Sequence, residues 1–307
     1  MKQVVRNFLA LSVALALGYS LAMAQGNYGD NLFEEFIRQN LTEITGNVAD
    51  PFAKVFSTGV TGGIYRSADT HKLLGFDVGV RGMFVFVPSE KSTAFDTADV
   101  ALFPIPVAQA AVGLPMDAEI MLRGFAVKYE GADISLLGVG LKKNFKPLIP
   151  MPMFPDIAAM ISYHRFKGGY TNFWLSDVDL AAYGLTPPPE GFDAEIDAGN
   201  LLSSTHWSFD VIASKKFSLV LISFQPYVGL GMDRSTMDYD WEIVQYKTPL
   251  ELEGQPLNEK VSGSSSFTTT RLTLGLDISP IPFIHVFADY NIGKFNQATV
   301  GAAISFR

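Results

Sequence analysis

Residues 73–87, LLGFDVGVRGMFVFV, place Leu74, Phe76, Val78, Val80, Phe84 and Phe86 on one parity and Gly75, Asp77, Gly79, Arg81 and Met83 on the other. Successive side chains of a strand point to opposite faces, so this segment has one oily wall and one wall of glycine and charge. The rule returns near the C-terminus. Val220, Ile222, Phe224, Val228 and Leu230 oppose Ser223, Gln225, Tyr227, Gly229 and Gly231, and Leu272, Leu274, Leu276 and Ile278 oppose Arg271, Thr273, Gly275 and Asp277. Ile284, Val286, Ala288 and Tyr290 oppose His285, Phe287, Asp289 and Asn291; Ala298, Val300, Ala302, Ile304 and Phe306 oppose Thr299, Gly301, Ala303 and Ser305. A charge on a lipid-facing wall near the midplane costs about 2–4 kcal/mol, so the charged parity must face inward. Long strands with a repeated oily face are what a barrel needs when hydrocarbon surrounds it and its lumen is wet.

The period-two pattern predicts strands near 58–66, 73–87, 119–129, 133–144, 156–167, 205–214, 218–233, 268–279, 282–292 and 297–306. The expected fold is therefore all-β: a transmembrane antiparallel β-barrel of about ten strands, with eight to twelve compatible with the pattern. Pro226 falls inside one of these strands and predicts a kink or bulge. Short connections are expected at 131–133, 215–216, 279–282 and 293–296, and long ones at 88–118, 168–204 and 234–267. Tight turns of such barrels are periplasmic and long loops extracellular. With the last strand ending in the periplasm, 168–204 and 234–267 fall outside, while 88–118 lands on the unexpected side. Trp174, Trp207 and Trp241 fall near strand ends, where an aromatic girdle would sit.

The first 24 residues carry Lys2 and Arg6, an apolar stretch from Phe8, and Ala22-Met23-Ala24 before Gln25. This reads as a secretory signal peptide with a small-x-small cleavage site. No later apolar run reaches the length of a membrane helix; Pro104, Pro106 and Pro115 interrupt the nearest, Val100 to Met116, which is read as an apolar loop. Residues 25–57 precede the barrel, which is assigned to 58–307. Leu32, Phe33, Phe36, Ile37, Leu41 and Ile44 lie near one helical face, with Glu34 and Glu35 in the first turn. Asp50-Pro51 is a cap followed by a first-turn proline, Phe52, Val55 and Phe56 follow at helical spacing, and Gly59 is the expected stop. The apolar face of this helical plug (Phe33, Phe36, Ile37, Leu41, Phe52, Phe56) must be buried, and a lumen with Met83, Met160, Phe166, Phe283 and Phe287 offers apolar lining.

Cysteine is absent, which excludes disulfides and thiolate chemistry. The net charge of −8, 23 basic against 31 acidic residues, lacks the basic character of a nucleic-acid binder. His71, His164, His206 and His285 have no metal-type spacing, so no metal or other cofactor is expected. His206, Ser208 and Asp210 share a strand face, but neighbours on one face stand too parallel to form a relay unaided. The lumen-lining set is Asp77, Arg81, Arg123, His164, Asp210, Gln225, Tyr227, Arg271, Asp277, His285 and Asp289. Its charges have both signs and can pair across the interior, which a single-sign selectivity ring cannot.

The run DPFAKVFSTGVTGGIYRSADTHKLLGFDVGV, residues 50–80, together with the terminal Phe306-Arg307, resembles an uncharacterised family of bacterial outer-membrane β-barrel proteins. That family is distantly similar to the long-chain fatty-acid (hydrophobic-compound) outer-membrane transporters, which also begin with a helical segment plugging the lumen. The fatty-acid channels are longer, and the aromatic of the usual assembly signal is here followed by Arg307. The resemblance implies a Gram-negative outer-membrane location after export, contact with outer-membrane lipid, and handling by the barrel-assembly machinery. The function expected is a porin-like passive channel or transporter for small hydrophobic molecules, without covalent catalysis. Two alternatives stand beside it: a non-transporting surface protein whose acidic loops bind a partner, and an outer-membrane lipid hydrolase or acyltransferase.

Overall fold

The computed structural model describes residues 50–86, 102–129, 132–145, 154–174, 193–219, 222–247 and 255–306. Asp50 and Pro51 open helix α1, Asp50–Thr61. The strands are β1 (Phe76–Phe86), β2 (Leu102–Leu114), β3 (Ala118–Tyr129), β4 (Ala132–Asn144), β5 (Asp156–Trp174), β6 (Asp193–Ser214), the two-residue β7 (Phe217–Ser218), β8 (Ser223–Lys247), β9 (Gln255–Ile281), β10 (Ile284–Ile292) and β11 (Gln297–Phe306). All pairings are antiparallel. β1 joins β11 from Phe76↔Phe306 to Val85↔Gln297, and β6 pairs with β8 past the β7 stub, so ten strands close into a ring. Closure gives each of the ten strands a neighbour on both sides.

The outer wall is a belt of aliphatic and aromatic side chains. Val78 and Val80 on β1, Leu137 and Leu141 on β4, Phe209 and Val211 on β6, Leu230 and Met232 on β8, and Val300 and Ile304 on β11 are all exposed. Their alternate neighbours are buried and mostly polar, as the parity argument requires. Strands 19 to 27 residues long, β5, β6, β8 and β9, rise beyond the belt at the end opposite Phe76 and Phe306. That end is extracellular, because long extensions beyond the belt are extracellular in barrels of this kind, and β2–β3 and β9–β10 are joined by tight turns at the other.

The barrel begins at Phe76, not at residue 58. No strand forms over 58–66; α1 runs through Gly59 to Thr61, with the Thr58 and Thr61 hydroxyls donating to the carbonyls of Lys54 and Ser57. Gly59 does not stop the helix because it is the face that presses on Val85 and Ile105. Gly63, at φ +63°, breaks it instead, and residues 62–75 descend through the lumen without regular structure.

The second correction offsets the first. The stretch read as one loop, 88–118, contains β2, which restores the count to ten and puts the connection after Phe86 on the extracellular side. Gly113 donates to the Gly75 carbonyl and its own carbonyl accepts from Leu74, so odd residues of β2 turn their backbone groups toward β1. Pro104 and Pro106 are even. Their nitrogens therefore face β3, and the β2–β3 ladder runs only from Ala108↔Gly124 to Leu114↔Ala118. Among the described residues no bridge joins Leu102–Val107 to Phe125–Tyr129, while β1 pairs with β2 along its length.

Pro226 produces no bulge: it faces Leu276 in unbroken register. Its carbonyl accepts from Lys215, just past the end of β6, so its missing N–H also falls on that side and no bond to β9 is lost. The expected loops 168–204 and 234–267 are largely strand, since above the belt both faces are wet and polar sequence can ladder. Bulges take up the irregularities between Gly168 and Phe173 and between Asp197 and Leu202. β8 starts at Ser223 and not 218, and β9 continues through Pro280 to Ile281. Residues 1–24, the helix expected over 32–44, and Val220 lie outside the described residues.

Candidate functional site

The lumen is occupied by the chain's own α1 and residues 62–75, held by donors on the wall that seize their backbone carbonyls. Arg123 on β3 donates to the carbonyls of Val60 and Gly62 at the C-terminus of α1, where the helix dipole favours a cation. Arg81 on β1 donates to Gly63 and lies 4.6 Å over the Phe287 ring. Gln109 on β2 donates to Ile64 (2.9 Å), Gln297 on β11 to Gly59 (3.4 Å), Lys142 on β4 to Ser67 (3.3 Å), and Asn144 on β4 to Ala68 (3.0 Å). These carbonyls belong to a segment without ladder partners, and burying them unpaired would cost each about 1–3 kcal/mol.

Three ionic groups add to this grip. Arg271 on β9 is clamped by Asp233 and Asp210 and also reaches Ser208 (3.1 Å) and Thr61 of the plug (3.2 Å). Arg66, on the descending segment, pairs with Asp77 and donates to Ser305 at 2.9 Å, with Asp277 at 3.5 Å. Near the periplasmic rim Glu119 accepts from the His71 backbone (2.9 Å), contacts its ring (2.6 Å), and pairs with Lys142 (3.1 Å). Buried, mutually bonded ionic clusters of this kind anchor the plug to the wall.

All eleven lumen positions named from parity are buried and point inward. The structure joins Asp210 to Arg271, Asp277 to His285 (2.9 Å), Tyr227 to Asp289 (3.1 Å) and Arg123 to His164 (2.9 Å). Gln225 bonds Ser214 at 3.0 Å. His206 does not meet Ser208; its ring contacts Ser204 and Ser235, both at 2.8 Å, while Ser208 donates to Asp210. Among the described residues no three histidine or acidic side chains gather as a metal set. Gln109, Glu119, Lys142, Asn144, Gln297 and Arg66 were not foreseen. The prolines of β2 mimic a loop and Arg66 ends a run of strand-like alternation, whereas Glu119 and Lys142 face each other in register and carry the inward parity of β3 and β4.

An apolar layer lies above the polar one. Val55, Phe56 and Val60 of α1 are buried, as are Met83, Val85, Ile105, Val107, Leu136 and Phe166 of the wall, and the Phe56 and Phe166 rings are 3.9 Å apart. Phe52 lies in α1; Phe33, Phe36, Ile37 and Leu41 lie outside the described residues. Phe283, expected in the lumen, sits in the β9–β10 turn and is 48 % exposed, because the turn takes it past the rim. A cavity of about 30 Å³, large enough to hold an ordered water, remains between Arg66, His71, Gln109 and His285.

Ten strands, an oily exterior and a lumen filled by the chain's own N-terminal segment define a plugged transmembrane β-barrel of the outer-membrane type. The chain belongs to a family of unknown function, DUF6588, whose model matches residues 1–100 and 94–306. No curated relative matches it. Solved structures similar to it include the N-terminal barrel domain of Pseudomonas aeruginosa OprF (11 % identity, 77 % of this chain and 100 % of that one, TM-score 0.29). The translocator domain of the autotransporter NalP from Neisseria meningitidis follows (10 %, 86 % and 98 %, TM-score 0.38), with LpxR from Salmonella typhimurium (8 %, 74 % and 99 %, TM-score 0.29).

Proposed function

We propose that the protein passes small apolar molecules passively across the outer membrane, without covalent chemistry. One observation carries this reading: the unpaired stretch between β2 and β3 lies in the outer-leaflet half of the belt, directly beside the apolar layer of the lumen. Pro104 and Pro106 face outward there, and Ile105 and Val107 face in, Ile105 packing against Gly59 of α1. Pro104 and Pro106 offer β3 no N–H, so this stretch lacks two ladder bonds and the strands part more easily there. An apolar solute then moves between the membrane and the layer around Phe56 and Phe166 when α1 shifts.

Restoring the donors tests it. Pro104→Val together with Pro106→Val lets the ladder continue past Ala108 and lowers uptake of an apolar fluorescent probe into proteoliposomes, while removal of α1 raises it. Unchanged uptake in both variants, or none in any of them, sinks the proposal. The hydrolase alternative draws no support from the fully buried His206, which meets two serines and no carboxylate. The surface-binding alternative draws on β8 and β9, whose outer halves stand clear of the belt. Loss of adhesion on shortening them, with uptake intact, would favour it.

A further inference from the structure

A cationic patch sits on the outer wall where the apolar belt ends. On β5 the apolar outward residues Ile161 and Tyr163 are followed by Arg165 and Lys167; on β8 Met232 is followed outward by Arg234. All three cations are exposed, and among the described residues none has an ion-pair partner. Lys128, also on the outer wall, is by contrast tied to Asp133 at 2.6 Å.

The strand register shapes these charges into one face. Trp207 on β6 is 53 % exposed and stands directly between Tyr163 and Arg234, its ring 4.9 Å from that of Tyr163. One rung higher Arg165 faces Thr205, and Thr205 faces Thr236, whose hydroxyl bonds Ser266 at 2.9 Å. Strand spacing puts the backbones of Arg165 and Arg234 about 12 Å apart, a gap two arginine side chains can close around a phosphate group. Asp238, opposite Ser203, lies a further rung up and leaves the Arg165–Trp207–Arg234 face uncompensated.

We infer that this patch binds the phosphate groups of anionic lipid in the outer leaflet. Its height decides the occupant: the Tyr163 and Trp207 rings mark the boundary between hydrocarbon and headgroups, so the guanidinium groups above them lie where lipid phosphates lie. Guanidinium forks and adjacent hydroxyls suit phosphate oxygens, with the exposed indole under the acyl–headgroup junction. A chain with net charge −8 gains nothing in solubility from three unpaired cations on a membrane-facing wall. The inference is independent of what passes through the lumen.

The experiment uses the full-length protein in neutral detergent, titrated with diphosphorylated lipid A, its dephosphorylated form, or inorganic phosphate. Lipid A should raise the thermal midpoint and shift tryptophan fluorescence, and Arg165→Gln with Arg234→Gln should weaken that binding about tenfold or more. Lys167→Gln should give a smaller loss. Both variants face outward and should keep the heat-modifiable folded band of the parent. Equal binding of the dephosphorylated lipid, an unaffected double variant, or the same response to inorganic phosphate would each overturn the inference.

Discussion

Arg123 is fully buried, and its guanidinium ties β3 to the end of α1 through Val60 and Gly62 while also holding His164. Arg123→Met keeps the apolar stem but strands those carbonyls, so it should cost about 2–3 kcal/mol in urea unfolding from lipid vesicles and raise the leak of the barrel. A loss below 0.5 kcal/mol on the general scale of surface substitutions would mean that the plug does not depend on it. Gly113 is constrained differently. A Cβ there would collide with the backbone at His71 and Lys72, which bonds from the Gly75 N–H to the Lys72 carbonyl and from the His71 N–H to Glu119 hold in place. Gly113→Ala should therefore cost about 1–3 kcal/mol, read as a lower temperature for losing the folded band on gels. At Gly82 a Cβ meets only the ring of Phe84, and Gly82→Ala should stay close to the parent.

At the scale of elements, the plug has a direction. Its lower end meets β1 at the periplasmic rim beside Glu119, while Ser57 bonds Ser235 and Lys54 lies 6.0 Å over Phe267, both on strands rising toward the outside. The chain thus enters β1 from the periplasm after passing down the lumen from the extracellular mouth. Because the protein has no cysteine, single replacements report this cleanly. Lys54→Cys should react with a membrane-impermeant maleimide added to intact cells, and exposed Lys72→Cys should react only once the periplasm is opened. The reverse pattern would invert the assigned orientation. β2 makes a related point: proline is tolerated in the middle of a barrel wall where its nitrogen faces a neighbour that has left the ladder.

For the whole molecule, the belt sets stability by depth. Leu230, in the middle of the outward run of β8, should tolerate arginine poorly, at about 2–4 kcal/mol, and Thr268, above the belt on β9, should accept it for about 0–1 kcal/mol. Equal costs in vesicle unfolding would argue that the oily wall does not meet hydrocarbon. The wall's alternation was legible residue by residue: Asp77, Arg81, Arg271, Asp277 and Asp289 face inward because the opposite parity is aliphatic. The number of strands was right for a mixed reason, since 58–66 stood in for the overlooked β2. A short glycine-rich run carries too little periodicity to separate helix end from strand, and two prolines mimic a loop wherever pairing is unknown.

What the sequence by itself determined is the class of solvent on each side of the wall, because a two-residue period and the cost of charge in lipid leave one orientation for each strand. Tertiary structure alone decided how the lumen is filled and where the wall is unpaired. The wall donors that hold α1 and residues 62–75 bond to backbone carbonyls, which every residue carries, so no side-chain pattern in the plug records them. The gap beside Pro104 and Pro106 likewise depends on which neighbour each nitrogen faces, a fact that exists only once register is set.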